Sequence, residues 1–438
     1  MKTKVVLTVF TLALWLVSAV YADQAPAPQR EELLFQEIPV VITAARHEQP
    51  FADSPSTISV ITAEDIKLSG ATNLEELFRS LPGMDVFIAT ASNTNVSARG
   101  QNFLMPHNIL TMIDGYSVYE DFLGTTLWET LPVTLDEIKQ IEIIKGPGSA
   151  LYGANAFAGV INIITKSPDE IKKTTLSGAA GEQGTRLASF LTARNEAKWG
   201  YKFSLGYDGA NAWSNPAQEA KGVVRTNFTW RSKLDEDREI SFSSSLSQGK
   251  ANLIVPQFLS TVLQTSDFDF NRKYFHFAYE GPGFSVRSFW NDTQADLDKF
   301  GATGQYNIAV DTYDTEVERF LQLGENNSLI LGGNIRLDRV NSDALDANHA
   351  QTLWGTYLQD EIKIKEGLTF TLGGRYDYHP LAKEHFSPRA SLVFHPRPDQ
   401  TMRLSAATAF RNPSFSESYL NLPLPSLGPG YYLYGNPS

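Results

Sequence analysis

The 438-residue sequence predicts a mainly β protein, a transmembrane antiparallel β-barrel with an N-terminal α+β domain in its lumen. From Thr174 onward, apolar and polar residues alternate with a period of two, and about 13 such segments can be distinguished. The links between these segments alternate between short turns and longer stretches. No later stretch reaches the roughly 18 apolar residues of a helical span, so a membrane protein with this sequence must close a barrel.

The first 22 residues have the composition of a secretory signal peptide. Lys2 and Lys4 precede an apolar run over residues 5–20, and Val20-Tyr21-Ala22 provides a cleavage-type end. A first transmembrane helix is the alternative, which the shortness of the run and its three hydroxyl side chains disfavour.

Composition also excludes some classes of protein. The formal net charge of −12 does not favour nucleic-acid binding. The chain has no cysteine, so its stability must come from burial and hydrogen bonding rather than from disulfides.

Residues 23–37 are rich in Pro, Gln and Glu without periodicity, which predicts a flexible leader. A short β-branched run follows, Ile38-Pro39-Val40-Val41-Ile42-Thr43-Ala44. Composition alone leaves two interpretations of this run open. It could be an exposed segment that pairs with a partner by strand addition, or a buried edge strand of the next domain.

Residues 43–167 predict a mixed α+β domain with two short helices. Thr62 and Asp65 have the spacing of a capping box, which would start a helix that ends near residue 70. Thr72 and Glu75 are predicted to open a second helix in the same way. The apolar face of this second helix would consist of Leu74, Leu77, Phe78 and Leu81.

Strands are predicted at residues 56–61, 96–100, 109–113 and 116–118, the last two joined by a turn at Asp114-Gly115. The most informative stretch is residues 141–165. It contains two apolar strands separated by Gly146-Pro147-Gly148-Ser149, and both strands are expected to be buried on two faces. A Gly-rich phosphate loop is the alternative, but no Gly-Lys-Ser/Thr follows.

This stretch closely resembles the end of the plug domain of TonB-dependent outer-membrane receptors. Its Gly-Pro turn, its Leu-Tyr-Gly and its Gly-Val-Ile-Asn-Ile-Ile-Thr strand all match the family pattern, with Lys145 where most members carry Arg. Leu81-Pro82-Gly83-Met84, Arg99-Gly100 and Ile113-Asp114-Gly115 resemble further family motifs. The resemblance implies a signal peptide at 1–22, a periplasmic leader with the TonB box at 23–42, a plug at 43–167 and a β-barrel at 168–438.

The resemblance also implies a partner and a set of binding residues. By its position before the plug, the run from Ile38 to Ala44 resembles the TonB box, so TonB in the periplasm is the expected partner. Two plug connections, residues 88–95 and 119–128, correspond to the family's ligand-facing apices. The candidate ligand contacts on these apices and on outer loops are Ser92, Asn93, Asn95, Tyr119, Phe122, Trp128, Trp213 and Tyr306. Ordinary turn chemistry is the alternative for each of them.

The barrel segments predict which links face outward. Residues 208–222, 249–269, 291–307 and 340–350 are expected to be long outer links, and the outer link near residues 181–185 is the one short exception. Family barrels have about 22 strands. Phe410-Arg411-Asn412-Pro413 resembles the family's mid-barrel motif, so the sequence is expected to be incomplete at its C-terminus.

No motif predicts an enzyme, a metal site or a cofactor, because the seven histidines are scattered and neither a His-Glu-x-x-His nor a Gly-x-Ser-x-Gly pattern occurs. The resemblance implies active import of a scarce, bulky ligand across the outer membrane of a Gram-negative cell. A ferric siderophore is the first expectation because it is the commonest family cargo, with cobalamin and haem as alternatives. The expected partners are therefore TonB, outer-membrane lipid and a metal chelate or cobalamin-like ligand. A passive channel is the alternative class, which a folded plug disfavours.

Overall fold

The computed structural model describes residues 40–101, 105–213, 215, 217–255, 264–298, 305–397, 399–423 and 431–437. The predicted signal peptide, the leader and the first two residues of the predicted TonB box, Ile38 and Pro39, lie outside the described residues. Within the described part of the chain, no helix is both long and apolar enough to cross a membrane.

The first part of the described chain contains a five-stranded mixed sheet and two short strand pairs. Its elements are β1 (Val40–Val41), β2 (Gln49–Pro50), β3 (Ile58–Thr62), α1 (Ala63–Ser69), β4 (Met84–Thr90), β5 (Asn93–Ala98), β6 (Ile109–Ile113), β7 (Tyr116–Ser117), β8 (Ile138–Lys145), α2 (Ser149–Tyr152) and β9 (Gly159–Thr165), with 3₁₀ turns at Phe51–Asp53, Glu75–Ser80, Trp128–Thr130 and Leu135–Glu137. The sheet order is β3-β8-β9-β6-β7, and β6 runs parallel to β9. β1 pairs with β2, and β4 with β5.

The two central strands of this sheet are the buried pair that the sequence predicts. Ile141 and Ile143 on β8 and Ile161 and Ile163 on β9 are all fully enclosed. Gly159 begins β9 at a point where a Cβ would lie 2.5 Å from the Ile144 carbonyl oxygen, so a side chain there would prevent the strands from pairing. The Gly-rich corner between the strands therefore serves close packing.

The first predicted helix is confirmed and the second is wrong in part. The Thr62 side chain accepts from the Asp65 N–H, the Asp65 carboxylate accepts from the Thr62 N–H, and α1 ends at a left-handed Gly70. The second segment is a 3₁₀ helix, in which Thr72 is bonded to Glu76 instead of Glu75. The Glu75 side chain is buried and faces a cavity against the barrel wall, so it is not available to cap the helix.

The predicted connection at residues 88–95 is also wrong in part, because most of it belongs to a hairpin. β4 continues to Thr90 and β5 begins at Asn93, so the turn is confined to residues 91–92. The hydroxyl and amide side chains of this stretch hid the strand signal, since they hydrogen-bond to neighbouring elements instead of alternating with apolar residues.

The rest of the described chain forms the predicted antiparallel barrel sheet. Thirteen strands pair in sequence order: β10 (Thr175–Ala180), β11 (Arg186–Asn195), β12 (Trp199–Asn211), β13 (Glu219–Lys233), β14 (Glu239–Val255), β15 (Gln264–Gly281), β16 (Phe284–Asp298), β17 (Gln305–Leu323), β18 (Asn327–Ser342), β19 (His349–Lys365), β20 (Leu368–His379), β21 (Lys383–Arg397) and β22 (Gln400–Ala407). A short helix α3 (Phe415–Tyr419) and the paired strands β23 (Asn421–Pro423) and β24 (Tyr432–Tyr434) follow.

The outward face of the barrel sheet carries an aromatic row. Phe242, Phe275, Trp290 and Tyr313 lie side by side on four successive strands, and the Trp290 ring is 5.3 Å from Phe275 and 6.1 Å from Tyr313. Aromatic rings of this kind mark the interface between membrane and water. The opposite, lumen-facing side meets the plug with both polar residues, such as Lys202 and Arg272, and apolar ones.

The strands are longer than predicted on the side of the long links. They continue into each predicted long link, up to Asn211, Val255, Asp298 and Ser342. A further outer link is short, because His379 pairs directly with Lys383. In these extended strand ends, lumen-facing and outward-facing residues still alternate. The lumen-facing residues pack on the plug and do not line a polar channel, so the stretches lack the expected polar positions and resemble loops in the sequence.

Candidate functional site between plug and barrel

The plug crosses the lumen with a defined orientation. Its N-terminal part lies at the end of the barrel with short turns, where Asp53 is 2.8 Å from His395 and the Arg403 side chain donates to the Ser54 carbonyl. Its β4–β5 tip lies at the other end, beside Asn252 near the outer end of β14. The two ends of the plug therefore face opposite sides of the membrane.

The five described residues of the predicted TonB box, 40–44, are held by the plug. Val41 and Ala44 are fully buried, whereas Val40 and Ile42 are partly exposed. The N–H groups of Ile42 and Thr43 both donate to the Glu142 carboxylate, at 3.1 and 2.7 Å. Because β1 pairs with β2 and not with the main sheet, the segment is neither a free tail nor an edge strand of that sheet.

Thr43 makes two further contacts with the plug. The Tyr152 hydroxyl donates to its carbonyl at 2.7 Å, and the Asn162 amide donates to its hydroxyl at 3.1 Å. Carboxylate acceptors of backbone N–H groups make strong hydrogen bonds, so the Glu142 contacts dominate this set. We call Glu142 and its bonds to Ile42 and Thr43 the carboxylate latch.

Arg46 attaches the following residues to the barrel. Its guanidinium lies 2.7 Å from Glu316 and 3.3 Å from Glu318, and it is enclosed by the rings of Tyr152 and Tyr357 at 4.6 and 4.7 Å. Burial lowers the pKa of Arg46, but the two carboxylates outweigh this effect and raise it above its usual value. Arg46 therefore stays charged and provides a buried ion pair between plug and barrel.

A cavity of about 130 Å³ with mixed polar and apolar walls lies between the plug and strands β16–β21. Its walls include Arg46 and Asp121 from the plug, together with barrel arginines and carboxylates. Asp121 forms an ion pair with Arg336 of the barrel, and Arg336 also binds Asp338 at 2.9 Å. Burial raises the pKa of Asp121, and Arg336 opposes this effect. Charge on the cavity wall is thus nearly balanced in pairs.

A cluster of packed apolar side chains closes the outer end of the lumen, and we call this cluster the apolar chamber. Phe122 and Leu127 of the plug pack there against lumen-facing barrel residues and against the segment around α3. The barrel side of this chamber includes Val223, Leu253, Phe268, Phe270, Leu297, Tyr306, Ile308, Val310 and Val340. The N–H groups of Phe415 and Ser416 donate to the carbonyls of Asp121 and Phe122, which holds α3 on the plug apex.

The chamber and its surroundings contain most of the predicted ligand contacts. Phe122 and Tyr306 are brought together in the chamber, and both are buried. Ser92 and Asn93 lie at the β4–β5 tip and bond to the backbone of β14. Asn95 accepts from the Met105 N–H.

The other three predicted contacts are separated from the chamber. The Tyr119 hydroxyl donates to the Gly124 carbonyl, and burial raises the pKa of Tyr119 well above its usual value. Trp128 packs on Phe78 in the plug core, with ring centroids 5.2 Å apart. Trp213 is the exposed member of the eight, at 54%. Ligand contact stays a prediction for all eight residues.

Sequence reasoning missed Glu142 and Arg46, which hold the box segment. Glu142 had a recognisable signal, since it is the one acidic residue inside the Ile-rich strand β8 and a buried carboxylate needs partners. Arg46 had none, because its carboxylate partners are about 270 positions away in the sequence.

No group of three or more His, Cys, Asp or Glu side chains in the described part of the chain is placed to hold a metal ion. Two family models match the chain. The TonB-dependent receptor plug domain matches residues 50–160, and the TonB-dependent receptor-like β-barrel matches residues 165–438.

Curated relatives include transporters and an iron-regulated protein. The chain is 25% identical over 405 residues to the vitamin B12 transporter BtuB of Vibrio vulnificus, covering 86% of this chain and 64% of that one. It is 24% identical over 424 residues to an iron-regulated outer membrane virulence protein of Vibrio cholerae, covering 91% of this chain and 63% of that one. The chain thus spans less than two thirds of the length of these relatives.

Solved structures share the fold. The siderophore receptor PirA of Pseudomonas aeruginosa superposes with a TM-score of 0.63 at 20% identity, over 86% of this chain and 68% of PirA. The ferric enterobactin receptor PfeA of the same organism, in complex with enterobactin, gives 0.66 at 18% identity, over 84% and 64%. Taken with the family models, which together cover most of the chain, these findings show that the chain belongs to the TonB-dependent receptors of the Gram-negative outer membrane.

Proposed function

We propose that this chain imports a scarce, bulky metal chelate across the outer membrane with energy supplied through TonB. The cargo that we favour is a ferric siderophore. The observation that carries the proposal is the orientation of the plug. Its box segment lies at the end of the barrel with short turns, and its apices lie at the opposite end. This is the arrangement needed for binding on one side of the membrane and a pull from the other.

The box segment suits the role of a handle. The outer membrane has no nucleotide supply, so work must arrive by contact with an energised partner. Strand addition provides such a contact, since backbone hydrogen bonds need no particular side chains. Val40 and Val41 form a short strand outside the main sheet and residues 43–46 form a turn. The segment is held by the Glu142 carboxylate and by the buried side chains of Val41 and Ala44, so a partner strand could displace it without unfolding the plug sheet.

The apolar chamber favours a bulky cargo with apolar or aromatic surface. The side chains packed in it are aliphatic and aromatic. Rigid apolar surface gives contact area at a low entropy cost. The similarity in fold to siderophore receptors agrees with a ferric siderophore. The curated BtuB relatives favour cobalamin as the second candidate.

Growth competition separates the two cargoes. A deletion strain is grown against its parent under iron limitation with single added siderophores, and again with cobalamin as the limiting nutrient. We expect a defect with one or a few iron sources. A defect confined to cobalamin limitation would show that the cargo is cobalamin and not a siderophore. No defect in either condition would refute both cargoes.

The TonB step is tested by a matched pair of variants. Val41→Pro removes a backbone N–H from the box segment, whereas Val41→Ala keeps it. We expect Val41→Pro to abolish uptake and to leave cell-surface binding of the same labelled siderophore unchanged, while Val41→Ala retains uptake. Equal uptake by both variants would show that the segment is not the handle.

A further inference from the structure

Among the residues that the structure describes, the outer end of β14 has no strand neighbour on one side. Pairing between β13 and β14 ends at Lys221 opposite Ala251, but β14 continues to Val255. On its other side, β14 stays paired with β15 up to Gln264. The backbone groups of Asn252 and Ile254 that point toward β13 therefore have no strand to bond to. Unpaired strand edges of this kind are normally covered or blunted.

The β4–β5 tip of the plug fills this position. The Ser92 hydroxyl accepts from the Asn252 N–H at 2.7 Å and donates to the Asn252 carbonyl at 3.0 Å. The Asn93 side-chain oxygen accepts from the Ile254 N–H at 3.3 Å. Thr90 adds a bond from its hydroxyl to the Asn252 carbonyl at 3.2 Å.

These contacts reproduce the pattern of an antiparallel strand. A paired residue in such a ladder receives one hydrogen bond and returns one, and the Ser92 hydroxyl does both for Asn252. The N–H groups served, those of Asn252 and Ile254, are two residues apart, as on one edge of a strand. Ser92, Asn93 and Asn252 are all buried, so these bonds are shielded from water.

We propose that the β4–β5 tip acts as a substitute strand for β14, so that the order of the outer β14–β15 wall depends on the position of the plug. Thr90, Ser92 and Asn93 are then positioning residues and not cargo contacts. When the plug is displaced, the outer end of β14 loses its neighbour and opens, because local opening is easiest where backbone bonds are few.

The wall concerned belongs to the apolar chamber. Leu253 on β14 and Phe268 and Phe270 on β15 are chamber residues. A shift of the plug would therefore change the surface that contacts the cargo, and by reciprocity a cargo that orders this wall would favour the seated plug. This consequence rests on the proposed function. The structural dependence of the wall on the plug does not.

Hydrogen exchange of the full chain in detergent tests the contacts directly. We expect Ser92→Ala to raise the exchange rate of a peptide covering residues 250–255 by roughly three- to tenfold, which is the effect of losing one or two net hydrogen bonds. Ser92→Thr keeps the hydroxyl and should restore the slow rate. Ser80→Ala is the matched control, because the Ser80 hydroxyl donates within the plug, to the Leu77 carbonyl.

A denaturant series tests the dependence on plug position. As urea rises, residues 250–255 should lose protection together with the plug strand β5, while the inner part of β14, residues 241–247, stays protected. Loss of residues 250–255 together with the inner part of β14 would overturn the proposal, as would equal exchange in Ser92→Ala and the wild type. Neither outcome depends on the cargo or on TonB, so the proposed function could fail while this inference stands.

Discussion

Replacing Glu142 by Gln should free the box segment without disturbing the plug sheet. The Glu142 carboxylate is fully buried and accepts from two backbone N–H groups of the box, those of Ile42 and Thr43. A glutamine side chain has the same size but is neutral and has only one acceptor oxygen. With that oxygen in the place of Oε2, both box N–H groups keep an acceptor but lose the negative charge, and the NH₂ group faces the Gln140 amide that donates to Oε1 at 2.7 Å.

The size of the effect follows from these contacts. A hydrogen bond to a charged group contributes about 1.5–3 kcal/mol and a neutral one about 0.5–1.5 kcal/mol, and Glu142→Gln turns two bonds of the first kind into the second. We take about 2–3 kcal/mol as the loss. At 1.4 kcal/mol for each factor of ten, the open state of the segment becomes roughly 30- to 150-fold more populated.

Hydrogen exchange of a peptide covering residues 40–46 measures this change, and binding of a TonB C-terminal domain measures its consequence. Affinity should rise, because the partner no longer has to break the carboxylate latch. Glu120→Gln is the matched control, since the buried Glu120 carboxylate also accepts from two backbone N–H groups, those of Phe122 and Leu123. Unchanged exchange at residues 40–46 in Glu142→Gln, or the same change in Glu120→Gln, would refute the latch.

Three further predictions concern the plug. Arg46→Lys should destabilise the seated plug by about 1.5–3 kcal/mol in urea unfolding, since an ammonium keeps the charge but cannot replace a stacked guanidinium that bonds two carboxylates. Burial, and then Glu75, raise the pKa of Glu129 to about 8. The protonated Glu129 therefore contributes fully to plug stability at low pH, and this contribution, on the order of 1–3 kcal/mol, is lost as the pH rises from about 4.5 toward 8. Glu129→Gln should remove this fall of the free energy of plug unfolding with pH. Trp128→Ala should lower the free energy of plug unfolding by about 3–5 kcal/mol. Trp213→Ala should weaken siderophore binding in a titration without changing stability. The reverse result would make Trp128 the ligand contact and Trp213 the core residue.

Local chemistry explains why the fold was largely predictable. The capping box at Thr62 and Asp65, the paired strands β8 and β9 and the period of two in the barrel each depend on residues close in sequence. In these places one local preference agrees with the final structure. The 13 barrel strands could be predicted for the same reason, because apolar and polar residues alternate along each strand whatever its neighbours are.

The errors have the opposite cause. The 3₁₀ helix after Thr72 departs from prediction because Glu75 is drawn toward the barrel wall, where Lys221 is among the charges that influence it. The β4–β5 tip resembled a loop because Ser92 and Asn93 bond to a strand some 160 residues later. Side chains whose partners are distant in sequence carry no local signal, and the candidate site consists mainly of such residues.

The positions of the latches along the chain bear on how a pull would act. The carboxylate latch holds Ile42 and Thr43, Arg389 of the barrel donates to the Ala44 carbonyl at 3.2 Å, and Arg46 binds the barrel two residues further on. Near the far end of the plug sequence, Lys202 of the barrel donates to the Thr165 hydroxyl at 2.6 Å and lies 3.8 Å from the buried Glu137. Contacts arranged in series along a chain are loaded one after another, so the force required is set by the strongest single latch and not by their sum. A pull at the box would therefore free the N-terminal part of the plug first, while the Glu137 contacts still hold β8 and β9 in the barrel.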